Sequence, residues 1–158
     1  MKRRTVSLLS LLILLVMAFF LFLFMRSQAS FNQAEEEAVR LVSYDHDISA
    51  VNYFYWTTTD GTYFSLDFTD GEGQDYYAII AQDGGEVSYY THDDLISKED
   101  ALSITLNDKD PYELMQVRLG LFEEKPVWEV TIKNDNDTIS YYYLNAKNGQ
   151  WVQSIENI

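Results

Sequence analysis

Between Thr5 and Met25 the chain reads TVSLLSLLILLVMAFFLFLFM, 21 residues without a charge or a proline. A helix needs about 20 apolar residues to cross the hydrocarbon core of a bilayer, so this run constrains everything that follows it. Lys2, Arg3 and Arg4 precede it and Arg26 follows. Positive charge concentrated in the short N-terminal flank holds that flank in the cytoplasm and sends the remainder across. The expected organisation is a cytoplasmic end at 1–4, a transmembrane anchor at 5–25 and an extracellular C-terminal portion. Such a chain is a single-pass protein of the cell membrane. A cleaved signal peptide is the rival reading, since Ser27 and Ala29 offer small residues before a cut. Signal sequences use apolar stretches of about 7–15 residues. This run is longer and its second half is bulky, with Phe19, Phe20, Phe22 and Phe24, which favours retention. No cysteine follows it, so a lipid-attachment motif is excluded.

The charge of the outer portion narrows its partners. All 25 acidic residues lie after Arg26, against seven basic ones, Arg40, Lys98, Lys109, Arg118, Lys125, Lys133 and Lys147, for a net of −18. Nucleic-acid binding needs net positive surface, so no nucleic-acid partner is expected. Most of this charge serves solubility. Zero Cys removes disulfides, thiolate-ligated metals and a thiol nucleophile.

Beyond the anchor the pattern alternates between a helix and groups of strands. Ser30 with Gln33 reads as a capping box, and Phe31, Ala34, Ala38, Leu41 and Val42 share one helical face. A second helix is expected from Lys98 to Asn107, capped by Ser97 with Asp100 and barred from extension by Pro111. Strands are expected at 51–59, 62–69, 74–81 and 86–91, and again at 112–122, 127–133, 138–146 and 150–155. Asp60-Gly61, Asp83-Gly84-Gly85 and Asn148-Gly149 mark hairpins.

The two groups resemble each other. Ala81, Asp83, Gly84 and Val87 match Ala146, Asn148, Gly149 and Val152 at an offset of 65, and Glu37-Ala38-Val39 matches Asp100-Ala101-Leu102 at an offset of 63. Like offsets in one order point to a duplicated unit, at 30–94 and 95–158. Each unit is then a helix on one face of a small antiparallel sheet, with the junction near Asp93 to Ile96. Neither buries much core alone, so the two should pack together.

Three stretches carry a likeness to a known family. Ser97-Lys98-Glu99-Asp100-Ala101 opens the second helix, Val127-Trp128-Glu129-Val130 lies in a strand, and Tyr141 to Ile155 forms the last hairpin around Asn148-Gly149. With one anchor and two PepSY-like units, the chain resembles the TseB (YpmB-like) proteins of Gram-positive bacteria, most sharply from Ser97 onward. The resemblance implies an α+β fold, an N-terminal transmembrane helix followed by two tandem PepSY-like units. It also implies a non-catalytic regulator of cell-wall, that is peptidoglycan, elongation acting through a penicillin-binding protein of the elongation machinery. PepSY units in protease propeptides imply the alternative, a module that restrains a surface peptidase.

The residues themselves point to binding rather than chemistry. No G-x-S-x-G and no phosphate-cradling glycine loop is present. His46 and His92, each beside aspartates, read as solvated loop residues, so no metal, no cofactor and no catalytic residues are expected and the chain reads as no enzyme. Asp70 to Asp75 resembles a calcium loop until the twelfth position, where Ala81 stands in place of the glutamate such a loop needs. Asn136-Asp137-Thr138 reads as a hairpin turn. The unusual feature is aromatic load: residues 27–94 hold eight Tyr, four Phe and one Trp. Along 51–57, Phe54 and Trp56 face one way and Tyr53 and Tyr55 the other. One set must leave the unit's own core. Either it packs against the second unit, or Tyr53 and Tyr55 form a partner surface.

Overall fold

The computed structural model describes residues 2–109 and 111–158. A helix, α1 (Lys2–Val42), opens the chain. Ser30 does not start a new helix as its capping pattern suggests; it lies inside α1. The physical reason is that neither proline nor glycine occurs between Thr5 and Val42, so nothing interrupts the backbone ladder. Two units are distinguished, one ending at Glu37 and one running from Ala38 to Ile158. In the first, α1 contains a stretch long and apolar enough to cross a membrane, none of it buried. Its large side chains from Leu11 to Phe24 are exposed all round the helix.

The second unit holds the end of α1, eight strands and one further helix. The strands are β1 (Ile48–Thr58), β2 (Thr62–Asp70), β3 (Asp75–Ala81), β4 (Val87–Thr91), β5 (Glu113–Phe122), β6 (Lys125–Lys133), β7 (Ile139–Asn145) and β8 (Trp151–Ile155), with α2 (Lys98–Asp108) between the two groups. They form two antiparallel four-stranded sheets, ordered β1-β2-β3-β4 and β5-β6-β7-β8. Each strand therefore pairs with its chain neighbour through a short turn, as the hairpin signals imply. Gly84 and Gly149 take φ of +84° and +71° in corresponding turns, a backbone that favours glycine. Glu123 and Glu124 also take positive φ, 48° and 62°, so the β5–β6 connection is a tight two-residue turn built without glycine or asparagine. The inner edge strands are irregular: β1 is bulged between Ile48 and Tyr53, and β5 between Leu114 and Gln116.

Alternation sorts the first sheet into two faces. Leu66, Phe68, Ala78 and Ile80 form a core with Ala38 and Val42 from the last turns of α1. Burying such side chains contributes about 1.5–3 kcal/mol each. The other face, with Tyr55, Tyr77 and Ile79, joins a larger core with Val117, Leu119, Trp128, Val130, Ile132, Tyr142 and Leu144 of the second sheet and Ala101 of α2. The two sheets thus share one core, which answers the problem of a unit too small to bury enough surface.

The junction is made by a short 3₁₀ turn, His92–Asp94, followed by buried Leu95 and the start of α2. Ile96 donates its N–H to the Ala146 carbonyl at 2.6 Å and accepts from Trp128 Nε1 at 2.9 Å. Ser97 caps α2 as its sequence implies: its Oγ accepts from Asp100 N–H at 3.0 Å, and Asp100 Oδ2 takes the Ser97 hydroxyl at 2.7 Å. Such a cap is worth about 1 kcal/mol.

Where β5 meets the first sheet, its outward carbonyls are taken by side-chain hydroxyls rather than by a strand. Ser65 donates to Leu119 O at 2.9 Å and Thr59 to Leu121 O. Gly120 permits this approach, because a Cβ there would overlap the Thr57 side chain.

Candidate partner-binding surface

The two tyrosines singled out by alternation are divided by the structure. Tyr55 is 6 % exposed and meets Trp128 of β6 edge-on, ring centres 5.8 Å apart. It belongs to the shared core, which removes it from the expected partner surface. The reason is that the second sheet covers the middle of β1. Tyr53, two residues nearer the open end, is 50 % exposed and stacks on Tyr55 at 6.0 Å. Phe54 and Trp56 point the other way and pack against Phe64.

A polar arc lies beside these rings. Asp67 sits opposite both Tyr53 and Tyr77 in the sheet register. Its Oδ1 accepts from Asn52 Nδ2 at 3.1 Å and lies 3.1 Å from His92 Nε2. The His92 ring stacks on Tyr77 at 4.3 Å, and Tyr77 meets Trp128 edge-on at 5.9 Å. Over the exposed end lies Lys98, the first residue of α2, its Nζ 4.4 Å from the centre of the Tyr53 ring. Burial, then the charge of Asp67, pushes the ionisation of both Tyr55 and Tyr77 well above the ordinary phenol range. Burial thus favours the neutral form of both hydroxyls. The Tyr55 hydroxyl is buried without a partner.

The other candidate groups are accounted for by local structure. His46 packs among Phe68, Tyr76 and Tyr89, on the face of the first sheet toward α1, whereas His92 stands on the opposite face beside Tyr77. The sheet lies between the two histidines. Among the described residues no three His, Asp or Glu side chains converge to hold a metal ion. Asp70 in the acidic loop spends its Oδ1 on the N–H groups of Glu72 and Gln74, both at 2.9 Å, which closes a turn. At the far end of the second sheet a hollow of about 80 Å³ is lined by Lys109, Ser140, Tyr142, Ser154, Glu156 and Asn157. Small-molecule sites occupy about 300–1,000 Å³. Tyr142, which donates to Asp108 at 2.6 Å, is pushed up to about 12 by burial and that contact.

Sequence reasoning missed a buried polar cluster in the second sheet. Glu129, its side chain 3 % exposed, accepts from Arg118 Nε at 3.0 Å, from Arg118 Nη2, and from the Tyr143 hydroxyl at 2.9 Å. Arg118 Nη1 reaches the Trp56 carbonyl of β1 at 3.4 Å. A charge so placed is satisfied on every side and binds β5, β6 and β7 to β1. The available signal was a glutamate alternating out of step with Trp128 and Val130 in a strand flanked by Arg118 and Tyr143. Lys98, Asp67 and His92 were not read as neighbours of the tyrosines, because they come from three other elements.

No family model matches this chain, and no curated protein matches it. Among solved structures, the chain is similar to the YpmB protein from Bacillus subtilis, at 20 % identity and a TM-score of 0.67, over 76 % of this chain and 94 % of that one. The likeness is one of fold; in this chain the fold is α+β, with one long apolar helix and two antiparallel four-stranded sheets.

Proposed function

We propose that the chain is a membrane-anchored, non-catalytic binding module, with its N-terminus in the cytoplasm and its sheets outside the cell. In this reading it is a TseB-like protein of two tandem PepSY-like units, 30–94 and 95–158, that regulates cell-wall elongation through a penicillin-binding protein. The observation that carries the binding role is Tyr53, half exposed at the end of an otherwise buried aromatic row. Aromatic side chains presented in this way are the usual anchors of protein interfaces. The apolar, fully exposed stretch of α1 supports the anchor, and the likeness to YpmB supports the family reading.

Anchoring restricts the search for a partner to the membrane plane and raises its effective concentration. The test is a photo-crosslinker placed at position 53 of the full-length protein in its own membranes, with a second at exposed Trp151 as the control position. A transpeptidase captured from position 53 and not from 151 is the expected result. A surface peptidase captured instead would replace the wall-elongation reading, and equal capture from both positions would reject Tyr53 as the contact.

A further inference from the structure

The ammonium group of Lys98 lies where neither helix preference nor charge pairing would put it. The first turn of a helix favours carboxylates and disfavours cations, yet Lys98 is the first residue of α2. Among the described residues it makes none of the ion pairs that hold Lys109, Arg118 and Lys133. Its Nζ instead lies 4.4 Å from the centre of the Tyr53 ring and 5.8 Å from that of Tyr55. Both distances fall within the range in which a cation is attracted by the face of an aromatic ring.

The surroundings extend the same chemistry. Tyr53 and Tyr55 stack, and Tyr55 and Tyr77 close against Trp128, so the wall is aromatic throughout. The carboxylates of Asp67 and Glu99 act electrostatically on the hydroxyls of both Tyr55 and Tyr77, which places negative charge along that wall. Stacked ring faces with negative charge nearby suit a primary ammonium on an alkyl stem.

We propose that the stacked rings of Tyr53 and Tyr55 form a lysine-binding site that Lys98 fills in the free protein, and that a lysine side chain of a protein partner displaces it. The occupant is chosen by the structure's own content, since the group now on the rings is a lysine side chain. Charge agrees: residues 38–94 carry eleven acidic residues and one basic, a net of −10, which draws basic partners. Lys98 then acts as an internal competitor, setting how strongly basic a partner must be to engage. This inference rests on the reading of the chain as a protein-binding module and names the group it recognises.

The probe is n-butylammonium, a lysine side-chain mimic, with n-butanol as its neutral counterpart, added to the full-length protein in detergent micelles. In the unaltered protein the ε-methylene protons of Lys98 should be shifted upfield by the rings and move back as butylammonium saturates the site. Lys98→Ala should bind butylammonium about tenfold more tightly than the unaltered protein, the scale of one displaced cation–π contact, with no gain for butanol. Adding Tyr53→Ala should abolish that gain, while Tyr53→Phe, which keeps the ring, should retain it. Unshifted Lys98 protons overturn the proposal without recourse to any variant. Equal gains for butylammonium and butanol also overturn it, with a thermal melt of each variant confirming that it folds. Partner capture that persists in excess butylammonium overturns this site and leaves the binding-module reading standing. Butylammonium binding without any captured partner overturns that reading and leaves the site.

Discussion

The two sheets have the same strand order, and they differ most in how they handle charge. Residues 38–94 and residues 95–158 each hold eleven acidic residues, but the first stretch has one basic residue and the second has six, so the nets are −10 and −5. In the second stretch three cations are tied to carboxylates: Arg118 to Glu129, Lys109 to Glu156 and Lys133 to Asp137. In the first sheet the pairing of Asp67 is with a histidine. Two cations of the second stretch reach across, Lys98 over Tyr53 and Lys147 over Tyr90. The second half therefore pairs part of its charge internally and lends two cations to aromatic rings of the first, whose acids are met by polar side chains and backbone N–H groups instead. The lesson is that two sheets of one strand order can differ in how they pair their charges while sharing a backbone plan.

The largest effect should come from the buried ion pair of the second sheet. Glu129→Ala strands Arg118 and Tyr143 and should cost about 3–5 kcal/mol in denaturant melts, the range for breaking a buried ion pair. His92→Ala, whose ring is partly exposed, should cost about 1 kcal/mol. Equal costs would dissolve the contrast between the sheets. Next, Tyr55→Ala should lose about 3–4 kcal/mol as a core truncation, while Tyr53→Ala should change stability by less than about 1 kcal/mol. Similar losses at both positions would return Tyr53 to the core and remove the partner surface.

The matched turns separate the sheets on a smaller scale. Gly84→Ala meets open space and should cost about 1 kcal/mol for its positive φ alone. Gly149→Ala brings a Cβ to 2.6 Å of Ile104 Cδ1 and should cost about 2 kcal/mol. The smallest effect is acid dependence at the link between the sheets. Burial pushes the Asp60 carboxyl up, but hydrogen bonds from Glu123 N–H, Tyr63 and Thr59 outweigh it and hold the group below the usual carboxylate range. A lowered value means its stabilisation is present above about pH 4 and is lost as pH falls through the folded value. Asp60→Asn should therefore flatten the acid limb of a Tm-against-pH curve and leave the neutral region nearly parallel to that of the unaltered protein.

All eight strands and α2 were legible from the residues, within three residues at their ends. Period-two alternation and Gly-containing turns are local signals, and these sheets use local pairings throughout. The start expected at Ser30 failed because a capping pattern is also local, and an uninterrupted helix former on both sides overrides it. The β5–β6 turn was hidden because Glu123 and Glu124 hold positive φ with help from Asp60, far away in sequence. The binding surface was half legible. Alternation put Tyr53 and Tyr55 on one face but carries no information about where the second sheet ends over it. Lys98 was readable in principle, as a cation at a helix start whose neighbours Glu99 and Asp100 obey the dipole rule that it breaks.

The irregular strand edges have a colloidal consequence. A sheet edge is a template for a further strand, and four such edges exist here. The outer two, β4 and β8, are five residues long. The inner two, β1 and β5, are bulged in their exposed halves, and β5 has two of its carbonyls capped by Thr59 and Ser65 where it is straight. Among the described residues no long flat ladder is left open, so neighbouring copies at high local density have little backbone to share.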